Sequence, residues 1–121
     1  MKVYGSRVSY YTGRLEAYLK YKNIPYTLHG MPYEKAEMLK EKVGSIQMPI
    51  VDRGDGRWMS DSTPILFELE KENPQTSILP DDPAVAFIAR LIEDYGDEWL
   101  WRSAMHYRWS FPYGRELLSN I

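Results

Sequence analysis

A chain of 121 residues is long enough for one domain with a core of its own, or for one domain and part of another. Its composition, 44% hydrophobic and 26% charged with a net charge of -2, is that of a globular protein with no bulk attraction to nucleic acid or an anionic membrane. The absence of cysteine excludes disulfides, zinc–thiolate sites and a nucleophilic thiol belonging to the protein itself. No apolar run approaches the ~20 residues of a membrane span, and "MKVYGSRVSYY" carries no signal-peptide core, so a cytoplasmic location is expected.

Met1–Gly5 reads as a short strand that stops at Gly5-Ser6. In "TGRLEAYLKYK", Leu15, Tyr18, Leu19 and Lys22 fall at i, i+3, i+4 and i+7, which predicts an amphipathic helix with Thr12 as its N-cap. "NIPYTLHG" reads as a turn and a second strand. "YEKAEMLKEKVG" puts Ala36, Leu39 and Val43 on one helical face and closes on Gly44. "MPIVD" is a third strand, "RGDGR" a hairpin turn and "RWMS" a fourth strand. "DSTPILFELEKENP" is a helix with Asp61 or a neighbour as cap, Pro64 in its first turn and Pro74 beyond its end.

The order β-α-β-α-β-β-α predicts an α/β fold: a four-stranded mixed sheet with helices on its faces, in the thioredoxin-like arrangement. Its opening βαβ unit requires a parallel strand pair. "QTSILPDDP" follows as a linker. Asp82 then caps a helix with Pro83 at its first position, and Ala84, Phe87, Ile88, Leu91, Ile92 and Tyr95 share one face. Beyond Gly96 the pattern changes. Trp99, Leu100, Trp101, Met105, Tyr107, Trp109 and Phe111 cannot lie on one face, and a helix apolar all round is normally buried all round. This segment is expected to begin a second, helical domain or to meet a partner chain.

Three places carry candidate chemistry. Pro49 cannot donate to a sheet ladder, so Met48-Pro49 marks either an edge strand or a cis peptide that turns the Met48 backbone toward an extended ligand. Asp61-Ser62 suits a plain helix cap. It equally suits an amino-acid head site, where N–H groups and the helix dipole hold a carboxylate while Asp61 accepts from an ammonium. Ser9, Tyr10 and Tyr11 lie between the first strand and the first helix, the end of an α/β sheet where ligands bind. Any of the three hydroxyls could stabilise an anion there. His29 and His106 have no ligand partners at metal spacing, so no metal is expected. Arg102 reads as the ion-pair partner of Asp97 or Glu98 rather than as a nucleic-acid contact.

The segments "VYGSRVSYYTGRLEAYLKYKNIPY", "QMPIV" and "SDSTPILFELE", in this order and spacing, resemble the N-terminal domain of the glutathione transferase superfamily. The resemblance implies that residues 1–78 form a thioredoxin-like glutathione-binding domain. Residues 79–121 would be a linker and the start of a helical C-terminal domain that continues further. Met48 would bond the cysteinyl backbone of glutathione, with Pro49 cis. Asp61 and Ser62 would hold the γ-glutamyl head, and Gln47 would reach the glycyl end. Ser9 matches the catalytic serine position, with Tyr11 and Tyr10 as rivals, and the lack of cysteine in "SYYT" excludes glutaredoxin chemistry.

The chemistry implied is activation of the glutathione thiol for attack on a small electrophile, by a protein expected to be a homodimer. A free thiol has a pKa of about 8.5 and only its thiolate attacks. Lowering it by about 2 units needs roughly 2.7 kcal/mol. A hydrogen bond to a charged group supplies about 1.5–3 kcal/mol, and a helix N-terminus adds a fraction of about 1 kcal/mol. The electrophile pocket of such proteins lies between two domains, so this chain is expected to hold an incomplete one. The alternative reading is a non-catalytic interaction or scaffold module that docks through Trp99–Phe111.

Overall fold

The computed structural model describes residues 1–120. The chain divides into two units, Met1–Ser77 and a second from Ile78 onward.

In the first unit, strands β1 (Lys2–Tyr4), β2 (Thr27–His29), β3 (Ile50–Asp52) and β4 (Trp58–Ser60) form one sheet in the order β2-β1-β3-β4. β1 and β2 run parallel, while β1–β3 and β3–β4 are antiparallel. Helix α1 (Tyr10–Tyr21) joins the parallel pair. A 3-10 turn at Tyr33–Lys35 leads into α2 (Ala36–Val43), and α3 (Ser62–Glu72) follows the hairpin. This is the mixed thioredoxin-like sheet expected from the element order.

The core forms where the apolar stripes of α1 and α3 meet one sheet face. Leu15, Tyr18 and Leu19 pack with Ile65, Leu66 and Leu69 over Val3 and Val51. Each such side chain contributes about 1.5–3 kcal/mol on burial. Ile50 points to the other sheet face by strand alternation. It is fully buried, as is Leu39 of α2.

Lys22 continues the apolar stripe of α1, yet it is a lysine with a buried side chain. Its ammonium donates to Glu70 Oε1 at 3.1 Å and to the carbonyls of Asn73 and Gln75, each at 2.8 Å. The Tyr18 hydroxyl donates to Glu70 Oε2 at 2.7 Å. Burial, and then the Glu70 carboxylate, push the Tyr18 phenol well above its ordinary range. A buried charge is tolerated only when paired and hydrogen-bonded, and these bonds tie the end of α1 to the end of α3.

One boundary differs from the sequence expectation. The N-cap of α1 is Ser9, not Thr12: Ser9 Oγ accepts from the Thr12 N–H at 3.3 Å. Serine and threonine three residues apart compete for this role. A turn in which the Ser9 N–H donates to the Ser6 carbonyl at 3.0 Å decides it, because helical backbone begins directly after that turn.

The second unit is helical. Asp82 Oδ1 accepts from the N–H groups of Ala84 at 2.8 Å and Val85 at 3.0 Å and starts α4 (Pro83–Tyr95). A π-turn at Gly96–Leu100 carries the helix on into α5 (Trp101–Trp109), and α6 (Pro112–Ser119) follows. The inserted residue of a π-turn rotates the later side chains about the axis. That is why the apolar positions before and after Gly96 share no stripe. The Arg102 guanidinium lies over the Trp99 ring, 5.8 Å from its centroid. No described residue from 78 onward is buried, and Phe87, Ile92 and Trp99 are 64%, 65% and 63% exposed. Among the described residues no helix is long and apolar enough to cross a membrane.

Candidate functional site

The sheet register brings three segments to one edge. Tyr4, the last residue of β1, pairs with Ile50, the first of β3, which pairs with Ser60, the last of β4. The loop to Ser9, the Met48-Pro49 bond and Asp61-Ser62 therefore start from adjacent positions in the sheet. No stretch of sequence shows this directly; it follows from the antiparallel pairing of β1 with β3.

The β1–α1 loop holds Ser9 at three points. Its N–H donates to Ser6 O at 3.0 Å, its carbonyl accepts from Gly13 N at 3.0 Å, and its Oγ accepts from Thr12 N. Ser6 Oγ accepts from Val8 N at 3.4 Å and tightens the turn. A serine hydroxyl has one proton to donate besides its lone pairs. The cap uses a lone pair, so the Ser9 O–H remains able to donate away from the helix. Tyr10 opens α1 with 49% of its surface exposed, and Tyr11 is half-buried.

Met48-Pro49 is a cis peptide. Ladder pairing begins only at Ile50, so the Met48 backbone lies outside the sheet ladder. Pro49 is buried, Met48 half-buried and Gln47 exposed.

At the start of α3, Asp61 has φ 70° and ψ 126°. A non-glycine residue in that region costs about 1–3 kcal/mol, and such strain collects at ligand sites. Asp61 Oδ1 accepts from the Thr63 N–H at 3.1 Å. Pro64 has no N–H, and Ile65 N donates to Asp61 O at 3.3 Å. The Ser62 N–H is therefore the backbone donor left at the helix start, fewer than the set of N–H groups expected from sequence. The Ser62 side chain is buried.

The missing positive charge comes from α1. Arg14 Nη1 donates to Thr63 Oγ1 at 3.1 Å and lies 3.5 Å from Ser62 Oγ. A guanidinium with two hydroxyls and a helix N-terminus suits a carboxylate, and the second oxygen of Asp61 can accept from an ammonium. Sequence reasoning missed Arg14 and Thr63. In the sequence Arg14 is one more cation on a helix, and only the packing of α1 against α3 brings it to Ser62.

Away from this edge, Glu72 at the end of α3 pairs with Arg53 and, at 3.2 Å, with Arg57. The bond from Arg53, followed by that from Arg57, holds the Glu72 carboxyl below its usual range. Tyr26 donates to Glu16 Oε1 at 2.6 Å, and that bond first, then burial, pushes its phenol up to about 12.

Comparison with known proteins agrees with this architecture. Solved structures similar to this chain include the holo form of maleylpyruvate isomerase, a bacterial glutathione S-transferase of the Zeta class. It is 23% identical, with a TM-score of 0.72 over 92% of this chain and 56% of that one. A Tau class glutathione S-transferase from mango, Mangifera indica, is 23% identical with a TM-score of 0.74, over 98% of this chain and 56% of that one. Maleylacetoacetate isomerase from Anaeromyxobacter dehalogenans 2CP-1, solved with glutathione in its active site, is 21% identical with a TM-score of 0.60, over 78% of this chain and 47% of that one. The chain spans about half the length of these structures. No curated protein sequence gave a significant match. Residues 3–77 match the family described as the glutathione S-transferase N-terminal domain. The chain belongs to the glutathione S-transferase family.

Proposed function

We propose that the β1–β3–β4 edge binds glutathione and that Ser9 lowers the pKa of its thiol. The observation that carries this reading is the register Tyr4–Ile50–Ser60, from which the Ser9 loop, the Met48-Pro49 backbone and the Asp61-Ser62 helix start all leave one edge of the sheet. The residues present fit the ligand. Ser62, Thr63 and Arg14 suit the γ-glutamyl carboxylate, and the outer oxygen of Asp61 suits its ammonium. The Met48 main chain suits the cysteinyl backbone, and Gln47, exposed beyond it, suits the glycyl end.

The Ser9 hydroxyl then donates to the sulfur while the first turn of α1 adds its dipole. The thiol proton leaves to solvent, and the thiolate is the attacking species. Together these two effects match the roughly 2.7 kcal/mol that a shift of about 2 units requires. Tyr11 and Tyr10 stand next to Ser9 as the alternative donors. A small electrophile as second substrate, a homodimer, a cytoplasmic location and the assignment of residues 79–121 to a helical domain belong to the same proposal. One observation favours the scaffold reading: the aromatic residues Trp99, Trp101, Tyr107, Trp109 and Phe111 are exposed and have the composition of a docking surface.

Calorimetric titration with glutathione separates the two readings. The enzyme reading predicts saturable binding that Ser62→Ala weakens by about 1 kcal/mol or more. A folded chain that takes up no glutathione at about 10 mM, weaker than the ordinary substrate range, contradicts it and favours the scaffold.

A further inference from the structure

Gly5 follows β1 directly, and there the chain passes against the first turn of α1. A Cβ at Gly5 would overlap Thr12 Oγ1 and lie 2.9 Å from Thr12 Cγ2. Gly5 is not among the glycines with positive φ. Space, not backbone conformation, demands a glycine here. The strand side of the contact is fixed, because the Gly5 N–H donates to His29 O of β2 at 2.9 Å. The helix side is a fully buried threonine whose hydroxyl has no hydrogen-bond partner. Its polar group is not what holds it there.

Thr12 is also the residue whose N–H bonds Ser9 Oγ. Its side chain rests on Gly5 while its backbone holds the Ser9 hydroxyl. We propose that the Gly5–Thr12 contact is a positioning device: it sets the first turn of α1 against the end of β1, and so fixes where the Ser9 O–H points. Gly5 and Thr12 are positioning residues and touch no substrate. This role rests on the reading of Ser9 as the donor to the glutathione thiolate.

The test compares Gly5→Ala, Thr12→Ala, Thr12→Val and the double variant Gly5→Ala/Thr12→Ala with the unmodified chain. Two readouts are taken. One is the pKa of bound glutathione from thiolate ultraviolet absorbance. The other is the affinity for S-methylglutathione, which has no thiol to ionise. Gly5→Ala is expected to raise the bound thiol pKa by about one unit, a tenfold loss of thiolate, with S-methylglutathione affinity unchanged. The double variant removes Oγ1 and Cγ2 and returns the pKa toward the original value. If Gly5→Ala does not fold, the position-12 pair decides: Thr12→Val fills the space and leaves the pKa unchanged, while Thr12→Ala opens a gap and raises it. A folded Gly5→Ala with an unchanged pKa, or one that loses affinity for both ligands alike, overturns the positioning role and leaves the glutathione reading standing. An unmodified chain that binds glutathione without lowering its thiol pKa, or that binds none, overturns both.

Discussion

Helices α1 and α4 share one kind of sequence pattern and end in opposite surroundings. Each has an apolar stripe at helical spacing and an N-cap that accepts backbone N–H bonds. The stripe of α1 is buried against β1, β3 and α3. The stripe of α4 is cleaner, yet Phe87, Ile88, Leu91 and Ile92 are all exposed. Periodicity states which face of a helix can be buried; it does not supply the partner. The first unit has a sheet whose strand pairing presents a second apolar surface. The described part of the second unit contains helices and no sheet of its own, and exposed apolar faces of this kind mark surface able to meet another element or chain.

The contrast can be broken most sharply at Lys22. Lys22→Ala would leave Glu70 buried without its cation, and a loss of about 3–5 kcal/mol is expected in urea unfolding. Lys22→Met with Glu70→Gln keeps an acceptor for Tyr18 and should recover much of that loss. A small effect for Lys22→Ala would mean that water reaches the pair and that α1 is less firmly tied to α3 than its geometry indicates.

A second comparison uses one substitution in both helices. Leu19→Ala in α1 should cost about 2–5 kcal/mol, because it empties a fully buried position. Leu91→Ala in α4 should change stability by no more than about 0.5 kcal/mol. Equal losses at the two sites would show that α4 is covered in solution.

The smallest effect is acid sensitivity at the hairpin. The Glu72 carboxyl is held below its ordinary range by Arg53 and Arg57. A depressed carboxylate stabilises the fold above its unfolded pKa, about 4.3, and that contribution disappears as pH falls through the lower folded value. The stability gap between the unmodified chain and Glu72→Gln should therefore be open at neutral pH and close in acid. Because these groups are partly exposed, added salt should narrow the gap at neutral pH as well.

Much of the first unit was legible in sequence because its signals are local. The cap at Asp61, the glycines of the β3–β4 turn and the spacing of Leu15, Tyr18 and Leu19 each act over a few residues. What was not legible depends on contacts across the chain. Lys22 could be placed on the apolar face of α1, but its partner Glu70 is far away in sequence. Arg14 reaches Ser62 and Thr63 of the proposed head site only through α1 packing on α3. Ser9 and Thr12 are both residue types that cap helices, and the Ser6–Ser9 turn decides between them. The π-turn at Gly96–Leu100 left its mark only as a break in periodicity, since an added residue per turn has no compositional signature.

The central claim is that Ser9, held as the cap of α1, stabilises a glutathione thiolate at the β1–β3–β4 edge. The most direct measurement is the pKa of bound glutathione by thiolate absorbance, in the unmodified chain and in Ser9→Ala. The account predicts a value about 2 units below the free thiol's 8.5 or so, and a return most of the way on removing the hydroxyl. A low pKa that survives in Ser9→Ala would move the role to Tyr11 or Tyr10. An unshifted pKa in the unmodified chain, with glutathione bound, would contradict the account.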